Sequence, residues 1–251
     1  MHQLHRILAA LLLLLALPGR VWAGGIPVDL ELVLAVDVSG SIDPEEAQLQ
    51  RRGYVEAFLN PKVINAIRSG PYGRIAVTYV EWAGDHYQQT MMGWTLLDGR
   101  DSITGFADRL AETGIGRERW TSISAGLTYS GALFETSPFE GTRRVIDVSG
   151  DGPNNSGPPL SLAREGVLAR GITINGLPIV NNRPNPWGGE PPRDLDQYYR
   201  ENVIGGPGAF IVVADGFDAF AQAILTKLLL EIAGTPPPTE HATCPNCAEL
   251  P

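Results

Sequence analysis

The chain has 251 residues, 43% of them hydrophobic, and a formal net charge of −9. An acidic surface of this kind excludes nucleic acid and anionic membranes as long-range partners and suits cations or basic surfaces. Residues 24–234 are numerous enough to bury one substantial core, so a single domain is expected.

The opening segment, MHQLHRILAALLLLLALPGRVWAGG, combines Arg6, an apolar core from Ile7 to Leu17 and a small-residue exit at Val21-Trp22-Ala23. That is the pattern of a cleaved secretory signal over residues 1–23. Its core is shorter than the roughly 20 apolar residues of a spanning helix. The later run AILTKLLLEIA is shorter than a span and is interrupted by Lys227 and Glu231. The expectation is an exported protein, periplasmic or extracellular, with no stable membrane insertion.

LELVLAV (Leu30–Val36) is apolar on both faces apart from Glu31 and reads as a strand covered by helices on each side, ending at Asp37. Asp43, Pro44 and Glu46 then have the spacing of an N-cap, a first helical proline and a capping box, opening a helix through Tyr54 and Phe58. RIAVTYVEWAG and TMMGWTLL read as a strand pair around GDHYQQ. A helix capped by Asp101 or Ser102 follows, with Ile103, Phe106 and Leu110 on one face. Next come a helix in TSISAGLTYSGALFE, a strand in RRVIDVSGDG, a helix in PLSLAREGVLARG stopped by Gly171, and a strand in ITINGLPI.

VNNRPNPWGGEPPRD is dense in Pro, Gly and Asn and reads as an extended surface loop. AFIVV supplies a last strand and FDAFAQAILTKLLLEIAG a last helix. Residues 235–251 form a Pro-rich tail with too few apolar residues to pack, read as disordered. The tail holds both cysteines, Cys244 and Cys247, in CPNC. With no second pair, a tail disulfide or an intermolecular handle is favoured over redox or zinc chemistry. Alternating strands and helices give an α/β fold: a doubly wound, mostly parallel sheet with helices on both faces. Ligands of such sheets bind beyond the carboxyl ends of the strands, where Asp37 and Asp151 fall.

Asp37, Ser39 and Ser41 occupy every second position in AVDVSGS, so their oxygens can converge on one small object as the strand gives way to a loop. A set of oxygens without nitrogen or sulfur suits a hard cation, Mg²⁺, Mn²⁺ or Ca²⁺, over zinc or copper. A structural Asx/Ser turn is the plain alternative. Asp147, inside VIDVS, is unusual for a buried strand and requires a partner, for which Arg143 or Arg144 is nearest in sequence. Trp82 and Trp94 read as core. Trp120 reads either as rim or as ordinary packing, and Asn154 and Asn155 as loop-shaping residues.

DVSGS resembles the D-x-S-x-S signature of the von Willebrand factor A (VWA) domain, a Rossmann-like fold, over roughly Val28 to Gly234. Through VEWAG and IDVSGDGPNN the chain is also similar to a bacterial group of exported VWA-like proteins of unknown function. The resemblance implies a metal-ion-dependent adhesion site (MIDAS) completed by Thr121 in RWTSISAGL and Asp151 in VSGDG. It implies Mg²⁺ there, with Mn²⁺ or Ca²⁺ as alternatives, and a protein partner that presents an acidic side chain to the metal. Family members often carry Gly-Gly before the site Thr, where this chain has Arg119-Trp120, and commonly Thr before the site Asp, where it has Gly150.

Two other readings stand beside the binding module. One is a metal-dependent phosphoryl transferase with Asp37 as nucleophile, disfavoured by Ser39 where a second Asp is usual and by the lack of a well-placed Lys after VSGDG. The other is a metal-free scaffold domain of the same fold. A serine hydrolase lacks G-x-S-x-G, and GIGRER lacks the Lys-Ser/Thr ending of a phosphate loop. The expectation is a protein without enzymatic activity.

Overall fold

The computed structural model describes residues 24–181 and 192–234. The leader, the tail with Cys244 and Cys247, and most of the Pro/Gly-rich loop lie outside the described residues.

Six strands form the main sheet: β2 (Glu31–Asp37), β3 (Ile75–Trp82), β4 (Gln88–Leu97), β6 (Arg144–Gly150), β7 (Thr173–Val180) and the two-residue β8 (Ala214–Asp215). Their order is β4-β3-β2-β6-β7-β8, parallel throughout except for the β3–β4 pair. Short β1 (Ile26–Val28) and β5 (Phe139–Gly141) pair with each other in a separate parallel ribbon that sequence patterning does not reveal. The architecture is the doubly wound α/β fold expected.

Every residue of β2 is buried, and its side chains alternate between two cores. Leu32, Leu34 and Val36 pack on the side of α1 (Pro44–Leu59), α2 (Pro61–Arg68), α3 (Arg100–Glu112) and α7 (Phe220–Ala233). Val33 and Ala35 face α4 (Ile123–Leu133), α5 (Leu160–Leu168) and the short α6 (Leu195–Tyr198) with the turn after it. Among the described residues no helix is long and apolar enough to cross a membrane.

Local chemistry sets the helix boundaries. Asp43 accepts from the Glu45 and Glu46 amides at 2.8 and 2.9 Å, while Glu46 accepts from the Asp43 amide at 3.0 Å, completing the expected capping box. Asn60 ends α1 and caps α2, accepting from the Lys62 amide at 2.9 Å. The α3 cap differs from the expectation: the helix starts at Arg100 after Gly99, and Ser102, at the third helical position, accepts from the Asp98 and Gly99 amides. The last strand also differs. AFIVV contributes only an isolated bridge, Ile211 to Gly176, and the ladder to β7 forms three residues after that bridge, at Ala214–Asp215.

Asp147 finds its cation elsewhere than Arg143 or Arg144. Lys227 of α7 reaches it at 2.7 Å and also meets Glu231 at 2.5 Å, with all three side chains buried. An extended strand rises about 3.3 Å per residue, which carries both arginines away from Asp147. Arg143 instead binds the Glu231 and Ile232 carbonyls at the end of α7, and Arg144 the Arg170 carbonyl. Burial, then the Glu231 carboxylate, pushes Asp147 up to about 7 against the pull of Lys227.

Removing Lys227 leaves two buried carboxylates without their cation, so Lys227→Met should lower unfolding stability by about 3–5 kcal/mol in urea titrations. Because Asp147 titrates higher in the folded chain than in the unfolded one, its contribution is fully present below about pH 4 and is lost as pH rises through about 7. Asp147→Asn should therefore flatten the fall of stability measured between pH 4 and pH 7.

Candidate metal centre

The chain leaves β2 toward β3 on one side, while β6 lies on the other, so a topological switch point falls between β2 and β6. Val36 pairs with Ser149 in that ladder, which brings Asp37 and Asp151 to neighbouring strand ends. Both are buried.

Asp37 Oδ1 accepts from the Ser39 amide at 2.7 Å, folding the motif loop back over the strand end. Ser39 and Ser41 share a hydrogen bond at 3.1 Å, and Ser41 Oγ donates to Asp151 Oδ1 at 2.7 Å. Thr121 joins from the other side: a Cβ built on Gly152 would lie 3.8 Å from its Oγ1. Ser39, Ser41 and Thr121 border one cavity of about 350 Å³. Four of the five residues are thus linked in one hydrogen-bonded chain; two of them, Ser39 and Ser41, line the cavity together with the fifth, Thr121, and the two carboxylates are buried behind it.

The loop of Thr121 is held by residues that sequence reading treated only as loop-shaping. Asn155 Oδ1 accepts from the Thr121 amide at 2.8 Å, and the Thr121 carbonyl accepts from the Asn155 amide at 2.8 Å. Asn154 Oδ1 accepts from the Ser124 amide in the first turn of α4. This reciprocal pairing ties the Thr121 loop to the Asp151 loop. Trp120 adopts a left-handed φ of +68°, uncommon for a bulky residue.

The electrostatics are those of a site rich in negative charge. Burial, then the Asp151 carboxylate, pushes Asp37 well above the usual carboxylate range. Burial pushes Asp151 up to about 6; the Ser41 hydrogen bond opposes the rise and the Glu46 carboxylate adds to it. Asp37 Oδ2 is buried without a hydrogen-bond partner. Among the described residues no cationic side chain pairs with Asp37 or Asp151. Among the same residues no cluster of three His, Cys, Asp or Glu side chains has metal-binding geometry, so hydroxyls are needed to complete a cation site here.

Tyr199, which sequence reading missed, explains Gly150. A Cβ on Gly150 would lie 2.8 Å from Tyr199 Oη and 2.9 Å from Asp37 Oδ2. The Tyr199 hydroxyl is itself buried without a partner. The space that a threonine would occupy at position 150 is taken by that hydroxyl and the Asp37 carboxylate. The one sequence signal was the glycine itself.

The model of a family described as "Protein of unknown function (DUF1194)" matches residues 27–236. The chain belongs to the DUF1194 family. Among solved structures this DUF1194 protein is similar to a von Willebrand factor type A structure from Catenulispora acidiphila, with 14% identity, a TM-score of 0.54, and 82% of this chain and 43% of that chain covered. Proximal thread matrix protein 1 (PTMP1) of the mussel byssus is 16% identical at a TM-score of 0.56, over 84% of this chain and 47% of that one. The pilus adhesin SpaC from Lactobacillus rhamnosus GG, in its open conformation, is 17% identical at 0.57, over 83% of this chain and 30% of that one. The chain therefore spans less than half the length of each of these three. These likenesses establish a VWA fold. One PTMP1 structure has a zinc-occupied MIDAS motif. No curated protein matches the chain in sequence.

Gly150→Thr should destabilise the DUF1194 domain by about 1–3 kcal/mol, because it overpacks a buried site. Adding Tyr199→Phe, which removes the hydroxyl 2.8 Å from the new Cβ, should recover part of that loss in denaturant melts.

Proposed function

We propose that this DUF1194 protein is an exported VWA-type binding module that docks a protein partner through a divalent cation held by Asp37, Ser39, Ser41, Thr121 and Asp151. The ion is Mg²⁺, with Mn²⁺ or Ca²⁺ as alternatives. The observation that carries the reading is Asp37 Oδ2, a carboxylate oxygen buried without a hydrogen-bond partner, beside a second buried carboxylate. Buried polar atoms are normally satisfied, and buried charges are paired or coordinate metals. The residues present fit a hard cation: two carboxylates match its charge, and three neutral hydroxyls complete an all-oxygen donor set.

When bound, the ion supplies an electrophilic position that a carboxylate oxygen of a partner can occupy. The chain's own residues do the rest. Asp37 and Asp151 bring negative charge to the strand ends. The Ser39–Ser41–Asp151 hydrogen bonds orient the donors, and Asn155 fixes Thr121 opposite them. The cavity of about 350 Å³ gives a partner side chain access. The zinc-occupied MIDAS motif of PTMP1 and the adhesin role in SpaC's name support the same use of this fold. Residues 1–23 are the export signal, 24–234 the VWA domain and 235–251 a tail outside it.

The geometry favours binding over phosphoryl transfer. Position 39 offers a hydroxyl hydrogen-bonded to Ser41, where a second carboxylate would be wanted. The two lysines of the chain are Lys62 and Lys227. Lys62 is exposed in the first turn of α2, and Lys227 is buried against Asp147 and Glu231. The metal-free scaffold reading requires Asp37 to be held as the neutral acid.

Mg²⁺ at about 100 times its Kd should stabilise the native state by about 2.7 kcal/mol, read as a rise in Tm. In Asp37→Ala/Asp151→Ala the protein should fold and its Tm should not respond to Mg²⁺. An unchanged wild-type Tm with Mg²⁺, Mn²⁺ and Ca²⁺ alike would refute the cation site. A pull-down from the exported proteome should recover the partner in Mg²⁺ and lose it in EDTA or with the double variant. Phosphatase assays with Mg²⁺ should show no turnover.

A further inference from the structure

We propose that Arg119 and Trp120 form a selective wall beside the metal centre, and that the partner they fit is a protein segment whose acidic side chain is flanked in sequence by a large apolar one. The proposal rests on the cation reading above for the acidic side chain; the apolar flank is what it adds.

Trp120 is 64% exposed, the most exposed large hydrophobic side chain among the described residues. Its backbone lies at φ +68°, and among the described residues only Asp194 is another non-glycine at positive φ. Aspartate tolerates that region, whereas a bulky residue is strained there. Strain of this kind persists only where the surroundings impose it.

The surroundings do impose it. The Thr121 amide is held by Asn155, the Ser122 amide donates to the Ala83 carbonyl at 2.7 Å, and the Glu118 amide donates to the Val38 carbonyl at 3.3 Å. A Cβ on Gly84 would lie 2.7 Å from the Arg119 carbonyl oxygen, so the loop sits directly on the end of β3. Clamped on both sides, the chain turns the indole outward, where it contributes little to the core.

What the outward indole does is border the site. Arg119 and Trp120 line the same cavity as Ser39, Ser41 and Thr121. At about 350 Å³ that cavity falls in the range of small-ligand pockets, roughly 300–1,000 Å³, which leaves space for a second group beside a carboxylate. The Ser39–Glu118 bridge fixes the wall against the motif loop. Charge complementarity points the same way: Arg117 and Arg119 are both exposed on this loop, flanking Glu118, on a chain whose formal charge is −9. Of the two, Arg119 lines this cavity and brings a local positive field toward an approaching carboxylate, while Arg117 lines a separate cavity against the start of α1. A flat apolar face beside that field suits an aliphatic or aromatic neighbour of the acidic residue, and exposed Trp is enriched where binding energy concentrates.

Trp120→Gly separates this role from a structural one. Glycine adopts positive φ without strain and little packing is lost, so Tm should rise by about 2–4 °C. The Mg²⁺-dependent rise in Tm should remain. The probes are fluorescein-labelled peptides Gly-Gly-Xaa-Asp-Xaa-Gly-Gly with Xaa as Gly, Leu or Trp, followed by anisotropy in Mg²⁺. Wild type should bind the Leu and Trp peptides about tenfold or more tightly than the Gly peptide, and Trp120→Gly should lose that preference. Equal binding of all three by wild type, a preference that survives in Trp120→Gly, or no peptide binding while the Mg²⁺ shift is present would each overturn the selective wall and leave the cation site standing. Absence of the Mg²⁺ shift in wild type would overturn the cation reading, and the wall with it.

Discussion

The fold brings several carboxylates into its interior, and their different treatment sets the character of the molecule. Asp147 and Glu231 are met by Lys227, and Glu81 is met by Arg51 at 2.5 Å, each pair inside the protein. Asp37 and Asp151 are also buried, at the ends of adjacent parallel strands, and among the described residues receive no such cation. Desolvating a charge is costly unless it is compensated, so the sheet can hold this pair only with hydroxyls, backbone amides, protons or an external ion. β6 shows the contrast within one strand and its exit: Asp147 carries its counter-charge in the fold, and Asp151, four residues later, does not. That asymmetry, more than the D-x-S-x-S pattern, is what the proposed cation site rests on.

The sheet topology turns the asymmetry into a surface feature. Because β2 and β6 are neighbours whose exits lead to opposite sides, the two carboxylates lie at the switch point of the sheet, buried beneath a cavity whose wall is formed by Ser39, Ser41 and Thr121. Thr121 reaches this cavity from the segment before α4, and the Asn154 and Asn155 amides lock that segment to the loop after β6. Three stretches distant in sequence become one rigid mouth, its donors oriented by hydrogen bonds within the protein.

Much of this was legible in the sequence where the signal is local. The Asp43–Glu46 capping box and the mostly apolar β2 each depend on spacing within a few residues, and the structure places them as read; the alternation of Asp37, Ser39 and Ser41 is equally local, and hydrogen bonds link the three residues. What was not legible depends on contacts across the chain. Asp147 draws its lysine from a helix eighty positions away because extended geometry separates it from the nearer arginines. Gly150 looks like an ordinary turn glycine until the Tyr199 hydroxyl is seen to occupy its Cβ space. AFIVV has the β-branched composition of a strand, but only Ile211 bridges to β7, and the ladder falls at Ala214–Asp215. In each case tertiary contact overrides a correct local propensity.

The Arg51–Glu81 pair shows how the core governs the site from a distance. Buried ion pairs add little net stability over a well-packed apolar pair, because desolvation offsets most of their attraction. Their consequence here is positional. Arg51 donates to the Leu110, Thr113 and Gly114 carbonyls, and Glu81 accepts from the Gly116 amide at 2.8 Å. Those contacts fix the segment leaving α3 at its start, while Glu118, Thr121 and Ser122 fix its end through backbone hydrogen bonds. An apolar pair of the same volume would fill the space and remove the partners of the Thr113 and Gly114 carbonyls and the Gly116 amide. The segment between these two sets of bonds has little freedom, and the strained backbone of Trp120 is where the mismatch collects. The charges in the core therefore hold the conformation of the loop that carries Trp120 and Thr121 to the rim of the candidate metal centre.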